Sequence, residues 1–162
     1  MRIIILIGLL FFCISSRAND AVLNYDGIGV IKFGMKLQDV ESLIKEKAIT
    51  EGEYSPVECN YVTFNLYKDV AFMVEGNVIL RADVGESIKN SLNVKVGQTL
   101  EEVKVKFPAA NIKENFYDKE AHDIYLKNPK GKGAIIMYES EGKIKSVRAG
   151  VEPHVSYVEG CL

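Results

Sequence analysis

The sequence predicts an α+β domain of two tandem units, each one helix followed by about three antiparallel strands, with the helices packed on the sheet. Three observations carry that expectation. The segment Ile31-Lys32-Phe33-Gly34-Met35-Lys36-Leu37-Gln38-Asp39-Val40 is echoed sixty-three residues later by Val94-Lys95-Val96-Gly97-Gln98-Thr99-Leu100-Glu101-Glu102-Val103. Each copy opens a stretch whose apolar residues recur with the 3.6-residue period of a helix. Each is then followed by runs with period two, the pattern of half-buried strands.

The chain begins Met1-Arg2, continues with the apolar run Ile3 to Ile14, and reaches a polar stretch ending Ser16-Arg17-Ala18. This three-part pattern predicts a cleavable secretory signal over residues 1–18, with the cut after Ala18 where small residues suit signal peptidase. The apolar run is twelve residues long, and a spanning helix needs roughly twenty. No integral membrane segment is expected once the signal is removed. Cys13 leaves with the signal; a lipidated Cys13 would want small residues before it, and Phe11 and Phe12 stand there. Residues 19–162 then form a single domain of ordinary size, with the two units at about 26–85 and 90–162.

Within the first unit, the short strand Ile28 to Phe33 is expected to join a sheet edge. Leu37, Val40, Leu43 and Ile44 fall on one helical face, and this helix frays out before Gly52. Val62, Phe64 and Leu66 alternate with Tyr61, Thr63, Asn65 and Tyr67, which places the second set on the outward side of a strand. A hairpin follows, Ala71 to Val74 and Val78 to Val84 around Glu75-Gly76-Asn77, where glycine supplies the positive φ of a tight turn. In the second unit, Thr99 and Glu102 have the spacing of a capping box. Leu100, Val103 and Phe107 share a helical face, and Pro108 stops the helix. His122 to Lys127, Ala134 to Tyr138 and Lys143 to Val151, the last two around Glu141-Gly142, complete the plan. The exit strands also agree, Leu80-Arg81-Ala82-Asp83-Val84 with Val147-Arg148-Ala149-Gly150-Val151.

Gly34 to Val40 and its echo Gly97 to Val103 resemble the glycine-methionine-threonine, then glutamate-valine turn of the small outer-membrane lipoprotein family SmpA/OmlA. They also resemble the tandem repeats of the β-lactamase-inhibitor protein. The resemblance implies helices on an antiparallel sheet and a protein that binds other proteins rather than catalyses. It covers about ten residues in each half. The chain has no lipobox, unlike the first family, and nothing in it matches the inhibitor's target-binding loops. The ending Tyr157-Val158-Glu159-Gly160-Cys161 is similar to that of exported bacterial proteins with this repeat, which implies a Gram-negative envelope.

Removing Arg2 and Arg17 leaves eighteen basic against twenty-two acidic residues, a formal charge of −4. Charges of both signs are interspersed, which argues against nucleic acid and anionic lipid as partners. Two cysteines remain, Cys59 and Cys161. In an oxidising compartment they are expected to form a disulfide. Closing a loop of about one hundred residues is worth on the order of 4 to 5 kcal/mol in the chain-entropy model.

The inventory for catalysis is thin. Only His122 and His154 can titrate near neutrality. His122 lies in Asp118-Lys119-Glu120-Ala121-His122-Asp123, but this polar segment lacks the three or four ligands of a zinc site. His154, after Pro153, reads as a surface histidine. No serine has the context of a nucleophile. Gly131-Lys132-Gly133 lacks the remaining residues of a phosphate loop and reads as a hairpin connection. The expectation is therefore no catalytic residue, no metal and no cofactor.

A binding role rests on the tyrosines. Tyr54, Tyr61, Tyr67 and Tyr117 are assigned to loops or to the outward side of a strand, where rigid amphipathic rings suit protein or sugar recognition. Thr50 to Cys59, with glycine, proline and tyrosine but no periodicity, is the expected functional loop. The reading is a periplasmic or secreted binding module, an inhibitor of a hydrolase or an envelope-associated protein binder. Its alternatives are a carbohydrate-binding envelope protein and a small hydrolase using His122 with Asp118 or Asp123.

Overall fold

The structure is a computed structural model that describes residues 21–50 and 52–161. The expected signal, residues 1–18, lies outside the described residues. None of the described helices is long and apolar enough to cross a membrane.

The chain is mostly β, which corrects the expectation of two helix-plus-three-strand units. Among the described residues, twelve strands form two sheets, and only two short α-helices are present. The strands are β1 (Val22–Asn24), β2 (Gly27–Ile28), β3 (Ile31–Lys32), β4 (Ile49–Thr50), β5 (Asn60–Thr63), β6 (Val70–Glu75), β7 (Val78–Val84), β8 (Lys89–Asn90), β9 (Asn111–Glu114), β10 (His122–Lys127), β11 (Gly133–Ser140) and β12 (Lys143–Val151). The helices are α1 (Leu37–Ile44) and α2 (Leu100–Lys106). The large sheet has the order β4-β5-β6-β7-β12-β11-β10-β9. The small sheet has the order β3-β2-β1-β8, so Ile28 to Phe33 does not join an edge of the large sheet.

Both helices are short for identifiable reasons. At the start of α1, Lys36 makes no side-chain cap, and the left-handed Lys45 ends the helix one residue after Ile44. Leu37 and Val40 are buried, but Leu43 is half exposed rather than part of the core stripe. In α2 the capping box forms: Glu102 N–H donates to Thr99 Oγ1, and the Glu102 carboxylate accepts from the Thr99 amide. Pro108 follows immediately and prevents further turns.

The glycine turns before the helices dock alike. Gly34 and Gly97 both have positive φ, and their amides donate to Ile79 O and Ile144 O at 2.7 and 2.8 Å. The Leu37 amide donates to Asn77 O and the Leu100 amide to Gly142 O, while Ile79 and Ile144 return bonds to Met35 O and Gln98 O. Each helix start is thereby fixed on the hairpin turn of β6–β7 or β11–β12, and the first helical amides find acceptors there.

One core lies between the helix-bearing face of the large sheet and the small sheet. Leu23, Ile28 and Ile31 from the small sheet pack with Val40, Val103, Phe64, Phe72, Ile79, Ile124, Ile135, Met137 and Ile144. Burial of such side chains is worth roughly 1.5 to 3 kcal/mol each. The two halves of the large sheet meet where β7 pairs with β12, with Ala82 opposite Ala149, Arg81 opposite Gly150 and Asp83 opposite Arg148. Small residues are required at this seam. A Cβ on Gly150 would lie 2.6 Å from Leu80 O and 2.9 Å from Arg81 Cα. Gly150→Val is expected to lower stability by about 2 to 4 kcal/mol, as overpacking against backbone does. Urea unfolding followed by circular dichroism would measure it, and a change below about 0.5 kcal/mol would contradict this account of the seam.

Candidate binding site

The face of the large sheet away from the helices carries two arginines on adjacent central strands, Arg81 of β7 and Arg148 of β12. They are 4% and 8% exposed. Buried guanidiniums must be paired to be tolerated. Arg81 donates from Nε and Nη2 to the Asp83 carboxylate at 2.6 to 3.1 Å, and from Nη1 to the carbonyls of Tyr157 at 2.6 Å and His154 at 3.4 Å. Arg148 donates from Nε to Val155 O at 2.9 Å, and its Nη2 stands 3.5 Å from Asp123 Oδ1. Burial and the neighbouring Arg81 both lower the proton affinity of Arg148.

These contacts lay the C-terminal segment across the outer face. Val155 is fully buried against Ala134 and Ile136 of β11, with Tyr125 of β10 packed alongside. His154 Nε2 meets Glu75 at 2.7 Å. The segment then passes over Tyr61, where Gly160 lies so close that a Cβ would overlap the phenol oxygen. It ends in the Cys59–Cys161 disulfide, with the two Cα atoms 5.2 Å apart and 102 residues between them in sequence. The expected bond therefore forms, and the tail is pinned to the loop before β5.

That loop is organised by Asn60. Its Oδ1 accepts from the Ser55 amide at 3.1 Å, and its Nδ2 donates to Ser55 O at 2.6 Å and Glu58 O at 2.9 Å. Beside the disulfide opens a cleft of about 480 Å³, bordered by both cysteines, Ile49, Glu53, Tyr61 and Thr63. A second open cleft of about 600 Å³ shares Ile49, Thr63 and Ala71 with it and extends to Asp83 and Ser146. The stapled segments leave large apolar side chains uncovered: Val57 is 81% exposed, Tyr157 42%, Val158 36% and the neighbouring Ile49 47%. Apolar rings and aliphatic chains around a cleft with a few hydroxyls are the composition of a recognition site.

The four candidate tyrosines do not share one surface. Tyr61 borders the cleft, half-buried, and its hydroxyl donates to Asp83 Oδ2 at 3.3 Å. Tyr54 belongs to the stapled loop but leans on the core, and its hydroxyl donates to Asn77 Oδ1 at 2.7 Å. Tyr67 is a core residue, 5% exposed and edge-on to Phe72, so its assignment to an outward face is corrected. The reason is local: β5 ends at Thr63, and a 3₁₀ turn at Asn65–Tyr67 resets the alternation that period two had projected forward. Tyr117 is 60% exposed at the β9–β10 turn, edge-on to Phe116, at the opposite end of the large sheet.

His122 pairs with neither Asp118 nor Asp123. Its Nδ1 lies 2.6 Å from Oε2 of Glu139, a buried carboxylate that also accepts from the Gly142 amide. Asp123, next in the strand, points to the other face, where it accepts from Asn115 Nδ2 and faces Arg148. His154 is half-buried under the tail rather than free on the surface. The described residues contain no group of three or more His, Cys, Asp or Glu able to hold a metal ion. Sequence reasoning missed Arg81 and Arg148 as site residues, although each stands between apolar neighbours, Leu80 and Ala82 in one strand and Val147 and Ala149 in the other.

No family model matches the chain, and no curated protein matches it. The resemblance to SmpA/OmlA and the β-lactamase-inhibitor protein therefore rests on the two short segments alone. Among solved structures, the chain is similar to an extracellular protein containing an SCP domain from Bacillus anthracis str. Ames, with a TM-score of 0.46 and 16% identity. The match covers 74% of this chain and 44% of that one, so the chain spans less than half of that protein's length.

The Tyr61 phenol is pushed up to about 12 by burial and by the Asp83 carboxylate. In the unfolded chain it titrates near 10. The folded value is the higher, so this contribution to stability is complete below about pH 10 and is lost as pH rises through about 12. Tyr61→Phe is expected to cost about 1 kcal/mol at neutral pH through the lost hydrogen bond, yet to lose less stability than the parent across that alkaline range. Urea midpoints at several pH values would decide it; parallel pH profiles would contradict the assignment.

Proposed function

We propose that this chain is an exported, periplasmic or secreted, binding module that recognises another protein through the disulfide-stapled cleft and its apolar rim. One observation supports the reading above the others: a covalent bond that borders an open cleft holds two irregular segments together, and those segments carry the exposed Val57, Tyr157 and Val158. Fixing loops before binding reduces the ordering cost of association. Non-catalytic binding fits a cleft bordered by hydroxyls and aliphatic groups with a single carboxylate, Glu53, while Asp83 of the adjoining cleft is engaged by Arg81 and Tyr61. The disulfide itself is the chemistry of an oxidising compartment and supports export. Inhibition of a hydrolase is the finer form of this reading, since a rigid apolar rim can enter a concave partner.

Glycan binding is a second reading, favoured by the exposed Phe116–Tyr117 pair at the far end of the sheet. Their rings stand 5.0 Å apart on a turn held by Asn115, whose Oδ1 accepts from the Tyr117 and Asp118 amides.

The deciding experiment compares the parent with the double variant Val57→Asp, Val158→Asp in affinity capture from envelope and host extracts, alongside a glycan array. A stoichiometric protein partner retained by the parent, with affinity reduced at least tenfold (about 1.4 kcal/mol) in the variant, is the expected result. Specific array hits lost on Phe116→Ser, with no protein retained, would replace this reading with the second.

A further inference from the structure

We infer that the outer face carries a groove for a peptide segment, occupied in cis by residues 152–161, whose His154–Ser156 form a 3₁₀ turn, and that reduction of Cys59–Cys161 opens it to a peptide of the same chemistry in trans. The inference deepens the binding reading and rests on it. The tail displays what the groove recognises. His154, Val155 and Tyr157 contribute main-chain carbonyls, which accept from Arg81 and Arg148. Such acceptors belong to any peptide that can adopt this turn, so they give affinity with little dependence on side-chain identity. Selectivity comes from one seat, formed by Ala134, Ile136 and Tyr125, which encloses the small aliphatic side chain of Val155.

Half of the groove is held without its occupant. Arg81 is bound by two nitrogens to Asp83, a residue of the same strand, whereas Arg148, with Nη2 3.5 Å from Asp123 Oδ1, makes its hydrogen bond to Val155 O of the tail. Departure of the tail would leave guanidinium donors aimed at positions where carbonyls had been, and buried donors without acceptors favour reoccupation. The main chain leaving Val151 tethers the start of the tail, and the disulfide fixes its far end, so the segment cannot peel off the face until that bond opens. Both cysteines are half-buried and border the open cleft of about 480 Å³, so a dithiol reductant has access. Its thiolate attacks one sulfur, the S–S bond breaks as a mixed disulfide forms, and its second thiol then closes the reductant's own disulfide. Two electrons and two protons end on Cys59 and Cys161.

Two measurements on the full chain test this. Hydrogen exchange compares oxidised and dithiol-reduced protein at the Ser156 and Tyr157 amides, which bond to Pro153 O and His154 O. At least tenfold faster exchange there on reduction, with β7 and β12 unchanged, is expected; unchanged exchange, or loss of protection throughout, overturns the gate. The second measurement uses reduced full-length protein carrying Val155→Asp, so that its own tail no longer fills the seat, and a fluorescent peptide of residues 152–158 read by anisotropy. Saturable binding is expected, lost when the peptide carries the same substitution and at least tenfold weaker to the oxidised parent. A Val155→Asp chain that keeps the parent's far-ultraviolet circular dichroism but ignores the peptide overturns the groove, as does equal binding of the substituted peptide. Partner capture through Val57 and Val158 continuing under either negative result would leave the cleft reading standing and sink only this one.

Discussion

Two guanidinium groups stand on the outer face of adjacent central strands, and the rest of that face is arranged to keep them paired. A large sheet with one face in the core must still deal with the other, and here the middle strands bring Arg81 and Arg148 rather than apolar side chains. Their charges can be tolerated at such depth only with acceptors on several sides. Asp83 binds Arg81 through hydrogen bonds, Asp123 faces Arg148 at 3.5 Å as a charge partner, and the returning C-terminal segment provides carbonyls. The carbonyls of His154, Val155 and Tyr157 meet that demand, and the same segment carries Cys161 to Cys59.

The seam between β7 and β12 sets where this can happen. Arg81 faces Gly150 and Arg148 faces Asp83 across it, so each arginine has a small or acidic neighbour in the adjoining strand. The paired helix starts serve the opposite side. By fastening α1 and α2 to the two hairpin turns, they close the core and leave the outer face to the C-terminal segment. The division of labour is between an apolar side that holds the fold and a polar side that receives a peptide segment.

Much of this was written locally in the sequence. The Thr99–Glu102 box, the glycine turns and the long strands β6, β7 and β10 to β12 are marked by side-chain patterns that a few residues suffice to express. The two cysteines also announced their bond, since an even pair in an oxidising compartment has few alternatives. What escaped reading was short or phase-dependent. Strands of two residues, such as β2, β4 and β8, carry no periodicity to detect, and with the shortness of both helices they turn the expected α+β plan into a mostly β one. A single 3₁₀ turn reversed the projected side of Tyr67. The partner of His122 lay on another strand, where only the register of β10 with β11 brings Glu139 opposite. The tail's course was invisible because its anchors are backbone carbonyls, which every residue possesses.

One small turn has a wider reach than its size suggests. Asn77 closes the β6–β7 hairpin with positive φ, accepts the Leu37 amide on its carbonyl, and accepts the Tyr54 hydroxyl on its side chain. Helix, hairpin and stapled loop are thus moored to a single residue. Any tilt of that turn must carry the loop with it, so the mouth of the cleft and the apolar interior share a common mechanical reference.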